Sequence, residues 1–184
     1  MYLKQEKNLK STKHDLLFEY ETLSTRKLQF SLEESPINLR NLSLDEIKHL
    51  ERLTNQPGID VRDDGGNASS GFMSILAKIK AHETLPEYSL IRAYSVYGDV
   101  IGWTLFLVRQ LREIRWIDAG FYVHYMHRQR GIGKKLCGRV IKYAEDNDCK
   151  HVYVQPWNAT SRQFFKRLGA KYEEHRLYSF EITK

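Results

Sequence analysis

The spacing of apolar positions changes period several times along the chain, and each change marks an element. Ile37-Asn38-Leu39-Arg40-Asn41 alternates with period two and predicts a strand. Ser43-Leu44-Asp45-Glu46 is a capping box, with a hydroxyl at the N-cap and a carboxylate three residues on. The helix it opens carries Leu44, Ile47, Leu50 and Leu53 along one side. Residues 55–71, rich in Gly, Asp, Asn and Ser, predict a loop, and Phe72, Ile75, Leu76 and Ile79 then recur at helical spacing. From Tyr88 the period returns to two. Residues 89–97 and 100–108 read as strands joined by a tight hairpin at Gly98-Asp99, and 112–123 as a third strand of an antiparallel meander.

Beyond the meander, Ile132, Leu136, Val140 and Ala144, with Cys137 and Ile141 beside them, mark the buried face of a helix. The strand His151-Val152-Tyr153-Val154 follows, so this part is a βαβ crossover. A last helix is bracketed by Asn158 as N-cap and Gly169 as a C-terminal stop, with Phe164, Phe165 and Leu168 inward. In the closing strand Tyr178, Phe180 and Ile182 share a face. The fold class is α/β, a largely antiparallel and partly parallel mixed sheet flanked by helices.

Composition adds bounds. The 184 residues, 41% of them hydrophobic, suffice for one sizeable core, and the reading is a single domain over 31–184. Residues 1–30 are polar and weakly patterned, with an apolar cluster only at 15–20, and form an extension of unknown role. No apolar run is long enough to cross a bilayer, and the start lacks the apolar core of a signal peptide, so the expectation is a cytoplasmic protein with no membrane partner. Cys137 and Cys149 have neither CxxC nor His-partner spacing, which suggests reduced thiols and no metal site.

Charge is local. Between Ala119 and Ala144 there is no Asp or Glu, while Arg128, Arg130, Lys134, Lys135, Arg139 and Lys142 supply six positive charges. The totals are 29 Lys and Arg against 23 Asp and Glu, so without those six the chain is balanced. One concentrated patch suits a small polyphosphate better than nucleic acid, which calls for a wider basic face. Within the patch, Arg128-Gln129-Arg130-Gly131-Ile132-Gly133-Lys134-Lys135 joins a strand to a helix. Gly131 and Gly133 let the backbone curl until several N–H groups point at one anion, at the positive end of the helix. A β-branched residue at either glycine is expected to crowd that nest and leave the fold intact.

Spacing excludes two common phosphate motifs. A dinucleotide fingerprint needs a third glycine where Leu136 stands, and a P-loop needs Ser or Thr where Lys135 stands and glycine at Arg128.

The stretch from Val123 through His124-Tyr125-Met126-His127-Arg128-Gln129-Arg130-Gly131-Ile132 to Gly133 resembles the strand end and R/Q-x-x-G-x-G/A turn of the GNAT acyltransferases, with Tyr125 at the usual proline. Asn158-Ala159-Thr160-Ser161-Arg162-Gln163-Phe164-Phe165-Lys166-Arg167-Leu168-Gly169-Ala170 is similar to the family's Asn-led helix ending in Gly-Phe or Gly-Ala. Residues 37–53 resemble its opening strand and helix, so the likeness covers roughly residues 36–182. The order and separation of these motifs make the match specific.

The resemblance implies a GNAT fold with splayed central strands and an N-acetyltransferase that takes its acetyl group from acetyl-CoA. It places the diphosphate at the backbone of Arg130, Gly131, Ile132, Gly133 and Lys134, with Arg128 and Gln129 in the same turn. Pantetheine pairs with the backbone of Phe121, Tyr122 and Val123, and Asn158 either bonds pantetheine or only caps its helix. The acceptor amine must lose a proton, and Asp118 is the first candidate for the general base, ahead of Glu113 and His124. Phe165 stands in the cofactor site where the family commonly has Tyr, whose hydroxyl protonates the leaving thiolate. Ser161, Tyr172 and Tyr153 are the candidates for that task by reach.

In this fold the segment between the first two helices borders the acceptor, and here it holds Asp60, Asp63 and Asp64 beside Gly65-Gly66. Gln155-Pro156-Trp157-Asn158 and Gly169-Ala170 resemble the polyamine and diamine acetyltransferase branch. The reading is therefore an amine acceptor, either a small amine or a protein amino group. The alternatives are a toxin-like GNAT acetylating aminoacyl-tRNA and, because of Phe165, a non-catalytic acyl-CoA-binding module. The oligomeric state stays open, a homodimer among the options.

Overall fold

In the computed structural model, which describes residues 30–54, 86–175 and 177–183, eight strands form one sheet. The chain begins with β1 (Phe30–Leu32), β2 (Ile37–Asn38), a 3-10 turn (Leu39–Asn41) and α1 (Leu44–Thr54). The meander follows as β3 (Tyr88–Ser95), β4 (Val100–Leu111) and β5 (Ile114–Val123), with a second 3-10 turn at Tyr125–His127. The crossover is α2 (Ile132–Asp146) and β6 (His151–Val154), and the chain ends with α3 (Ala159–Arg167), β7 (Lys171–Tyr172) and β8 (Tyr178–Glu181). Across the sheet the order is β1-β3-β4-β5-β6-β8-β7, with β2 also on β3. Every pairing is antiparallel except β5 with β6, where α2 carries the chain back to the starting edge. This is the expected mixed α/β class.

The two faces hold separate cores. Ile117, Val152, Val154 and Phe180 of the strands meet Leu136 and Val140 of α2 and Phe165 of α3 on one side. On the other, Leu90, Trp103 and Leu105 meet Ile47 and Leu50 of α1. α1 starts where the capping box said it would: Glu46 N–H donates to Ser43 Oγ at 3.2 Å, and Ser43 N–H donates back to Glu46 Oε2 at 2.9 Å.

Local boundaries differ from the sequence reading for identifiable reasons. The strand expected at Ile37–Asn41 stops at Asn38, whose side chain accepts from Arg40 N–H at 3.0 Å and turns the chain into the 3-10 turn. Leu44, expected on the buried side of α1, is 55% exposed because it sits at the first helical position, ahead of the contact made by Ile47. The β3–β4 connection is four residues long, 96–99, closed by Ser95 N–H to the Asp99 carbonyl at 2.8 Å, with Gly98 left-handed at φ +85°. Arg112 is left-handed at φ +54°, which ends β4 and delays β5 to Ile114. The helix expected around Phe72–Ile79 and the extension over 1–29 lie outside the described residues.

One polar network ties the first segment to the sheet. Arg92 pairs with Glu33 at 2.6 Å and with Glu46 at 2.8 Å, and the Tyr94 hydroxyl donates to Glu33 Oε1 at 2.9 Å. The Arg92 and Glu33 side chains are only 11% and 12% exposed. The Arg92 hydrogen bond and the Ser43 cap hold the Glu46 carboxyl down from 4.5 to about 2. Burial and Glu33 push the Tyr94 phenol up to about 12.

Arg92→Ala is expected to strand the Glu33 charge and cost about 3–5 kcal/mol, read as a lower urea midpoint with an unchanged slope. Because Glu46 titrates lower when folded, its contribution is complete above pH 4.5 and is lost as pH falls toward about 2. Thermal melts across that window should decline less steeply for Glu46→Gln than for the wild type.

Candidate functional site

β5 and β6 run side by side from Trp116 and His151 to Ala119 and Val154, and β5 then continues to Val123 with no further strand partner on that edge among the described residues. The backbone directions there follow from bonds on both sides. His124 N–H donates to the Ile101 carbonyl at 2.9 Å and Thr104 Oγ1 donates to the Gly120 carbonyl at 3.0 Å, so even-numbered residues face β4. The Arg115 carbonyl accepts from Lys150 N–H at 2.8 Å, so odd-numbered residues face the β6 side. Phe121 and Val123 therefore present their backbone to an edge along which no strand lies among the described residues.

Tyr122 does not share that role. Its backbone faces β4, and its ring lies on the opposite face, stacked on Trp103 at 4.1 Å with its hydroxyl donating to the Leu53 carbonyl at 3.3 Å. Strand alternation alone separates Tyr122 from its two neighbours.

The turn after β5 is shaped by two left-handed residues, Gln129 at φ +61° and Gly131 at φ +81°. Gly131 is the N-cap of α2, and the first helical bond runs from Lys135 N–H to its carbonyl at 3.0 Å. The N–H groups of Ile132, Gly133 and Lys134 are thus left without intrahelical acceptors, at the positive end of a 15-residue helix. Lys134, Arg130 and Gln129 are exposed around them, while the Ile132 side chain is buried and fastens the helix start to the sheet.

Arg128 departs from its expected place on the outside of the turn. Its Nε donates to the Val123 carbonyl at 3.1 Å, tying the turn to the strand and occupying one backbone group expected to face pantetheine. His124 and His127 have their titration lowered, first by burial and then by Arg128 and Arg130 respectively, which favours neutral imidazoles beside the turn.

Gly133 also proves different from Gly131. A Cβ at Gly131 would meet nothing within 4 Å, so its requirement is conformational. A Cβ at Gly133 would lie 3.1 Å from Phe164 Cζ, so that glycine is where α3 seats against α2. The expectation that both glycines act by sparing the anion nest is corrected for Gly133, where helix packing intervenes.

Asn158 caps α3, its Oδ1 accepting from Ser161 N–H at 2.9 Å while Ser161 Oγ accepts from Asn158 N–H at 3.1 Å. That reciprocal cap, with Ser161 Oγ also donating to the Asn158 carbonyl at 2.9 Å, engages the serine hydroxyl fully. Phe165 lies beneath the free end of β5, 5% exposed, with ring centres 5.6 Å from Phe121 and 5.0 Å from Phe164. It is a hydrophobic floor with no proton to give.

Asp118 points to the sheet face opposite α2 and α3, where Arg109 of β4 pairs with it. In the register it stands beside Tyr153 of β6, the last pair on that face before the ladder ends at Ala119 and Val154. Glu113 lies in the turn at the far end of β5 from the fork, and Tyr172 is exposed on β7. Nothing in the sequence marks Arg109 as this partner, because a diagonal cross-strand pair has no fixed spacing. Burial pushes the Cys137 thiol up to about 12, and both cysteines are free and buried. The acidic segment at Asp60, Asp63 and Asp64 lies outside the described residues. Among the described residues no cluster of three or more His, Cys, Asp or Glu could hold a metal ion, and no helix is long and apolar enough to cross a membrane.

A free strand edge that ends at a glycine turn and a helix N-terminus is the arrangement expected from the GNAT resemblance, and comparison with known proteins agrees. The chain belongs to the acetyltransferase (GNAT) family, whose profile matches residues 60–170. It is 29% identical over 132 residues to thialysine N-epsilon-acetyltransferase of Sus scrofa, covering 68% of this chain and 73% of that one. An acetyltransferase of the GNAT family from Staphylococcus aureus Mu50 superposes with a TM-score of 0.62 at 13% identity, over 84% of this chain and 100% of its own. Salmonella typhimurium yncA, whose structure holds its cofactor acetyl-CoA, does so with a TM-score of 0.52 at 16% identity, over 85% and 95%. These solved structures share the fold. The protein is an acyltransferase enzyme of this family.

Gly133→Ala should lower the unfolding midpoint, and Phe164→Leu should recover part of that loss, because the smaller side chain makes room for the added methyl. A double-mutant cycle in urea should return a coupling of about 0.5–3 kcal/mol.

Proposed function

We propose that this enzyme transfers an acetyl group from acetyl-CoA to the nitrogen of an uncharged amine, with a small amine as the first choice of acceptor. The observation that carries the reading is the fork: the free edge of β5 at Phe121 and Val123 ends at the helix N-terminus formed by Gly131, Ile132, Gly133 and Lys134. Those N–H groups, with the Arg130 and Lys134 side chains around them, match the charge and geometry of a diphosphate. Phe121 offers N–H and carbonyl to an amide-bearing arm laid along the strand, over the Phe165 floor. The Val123 N–H is aimed at the same gap and suits the oxygen of a thioester as charge builds on it. Asn158 uses its Oδ1 as a cap, so its side-chain NH2 is the atom assigned to pantetheine.

A primary amine with an ordinary pKa near 10 is protonated at neutral pH, so the reaction needs a proton acceptor. Asp118 is the proposed general base, directly or through a water, held in orientation by Arg109. Support for a small amine comes from the pig relative, named for acetylating the ε-nitrogen of thialysine. A second reading, a non-catalytic acyl-CoA-binding module, is favoured by one observation: Phe165 is a buried phenylalanine where the family commonly carries a hydroxyl.

Calorimetry with acetyl-CoA, paired with thiol release over thialysine, diamines, lysine peptides and charged tRNA, separates these readings. The expected result is binding, weakened about tenfold in Lys134→Glu by loss of a charged contact, and release with the small amines. Binding without release from any acceptor establishes the module instead, release only with charged tRNA establishes the toxin-like activity, and absence of binding overturns the site.

A further inference from the structure

The sheet face that carries α1 is divided. Near β3 and β4 it is apolar and packed under the helix, but across β5, β6 and β8 it presents Asp118, His151, Tyr153 and Ser179. Tyr153 is central. It pairs with Asp118 on one side and with Ser179 on the other, and it turns to this face because Val152 and Val154 on either side of it are buried against α2 and α3. Its ring stacks on His151 at 5.5 Å on this face. Among the described residues no hydrogen bond engages that hydroxyl.

The position matters more than the exposure. The β5–β6 ladder ends at Ala119 and Val154, so Tyr153 and Asp118 are the last pair before the fork whose side chains lie on this face. Their side chains leave the sheet one register step before the gap that Phe121 and Val123 border, on the face opposite α2 and α3. The groups around the phenol are Asp118 on β5, His151 on β6, and Glu173 after β7, which accepts from Ser179 Oγ at 2.5 Å. Burial first, then Glu173 and Asp118, push its titration upward, so it carries its proton at neutral pH.

Resting on the amine-acetyltransferase reading above, we propose that the Tyr153 hydroxyl is the proton donor to the departing sulfur, the task for which Phe165 has no hydroxyl. The amine nitrogen attacks the thioester carbonyl carbon, the C–N bond forms, and the C–S bond breaks with its electron pair passing to sulfur. The Tyr153 O–H proton goes to that sulfur. The proton released by the nitrogen passes to Asp118 and from there to the phenolate, which restores both groups and leaves amide and free thiol as products.

Tyr153→Phe tests this with acetyl-CoA and the amine giving fastest release in the panel above. The expected result is a kcat about 10- to 100-fold lower, a KM for acetyl-CoA within about twofold of wild type, and loss of the alkaline limb of the kcat profile. A second readout needs no turnover and no variant: ultraviolet titration of wild-type tyrosines with and without CoA. Bound CoA should move one phenol to higher pH, because a thiolate beside it opposes a second negative charge. Wild-type turnover with an unimpaired Tyr153→Phe, or a titration unmoved by bound CoA, overturns the role of Tyr153 alone. A wild type that binds acetyl-CoA but releases no thiol with any amine overturns both this role and the activity it serves.

Discussion

The structure turns on a mismatch in length between two parallel neighbours. β5 has ten residues and β6 four, so among the described residues the Phe121 backbone and the Val123 N–H face an edge with no strand along it. β4 keeps β5 extended beyond the point where β6 ends, through pairs that reach Gly102 and Val123. β6 cannot follow, because Pro156 has no N–H to continue a ladder and Asn158 turns the chain into α3. The gap is thus built by two local facts and one long hairpin.

Electrostatics reinforce that geometry at one rim. α2 and α3 both begin just after the parallel strands end, so their positive termini share the side of the sheet on which β5 and β6 finish. Gly131 and Asn158 cap them by different means, one with a left-handed backbone and the other with a side-chain oxygen. The local excess of Arg and Lys seen in the sequence adds to backbone charge already in place. Arg128 shows that such residues also have structural work, since its guanidinium holds the turn against Val123.

What was legible in the sequence was whatever is decided within a few residues. The Ser43–Glu46 box, the Asn158 cap, the α2 face and the glycine turn are short-range patterns, and each sits where its chemistry placed it. Strand ends were less legible, because Asn38 and Arg112 redirect the chain through a side-chain bond and a left-handed backbone that periodicity does not register. The remaining features depend on residues far apart in the chain. Arg92 meets Glu33 across 59 positions, Asp118 finds Arg109 on a diagonal, and Tyr122 faces β4 only because of where the ladder begins. Pattern identified these side chains; only the register assigned their neighbours.

A Cβ built on Gly133 would come within 3.1 Å of Phe164 Cζ, so α2 and α3 are closely seated there. Phe165, the next residue, lies under the end of β5, so one short helix carries both the ring beside Gly133 and the ring beside Phe121. A small tilt of α3 would therefore move both contacts at once. Substitutions in α3 that alter either ring would shift both contacts together.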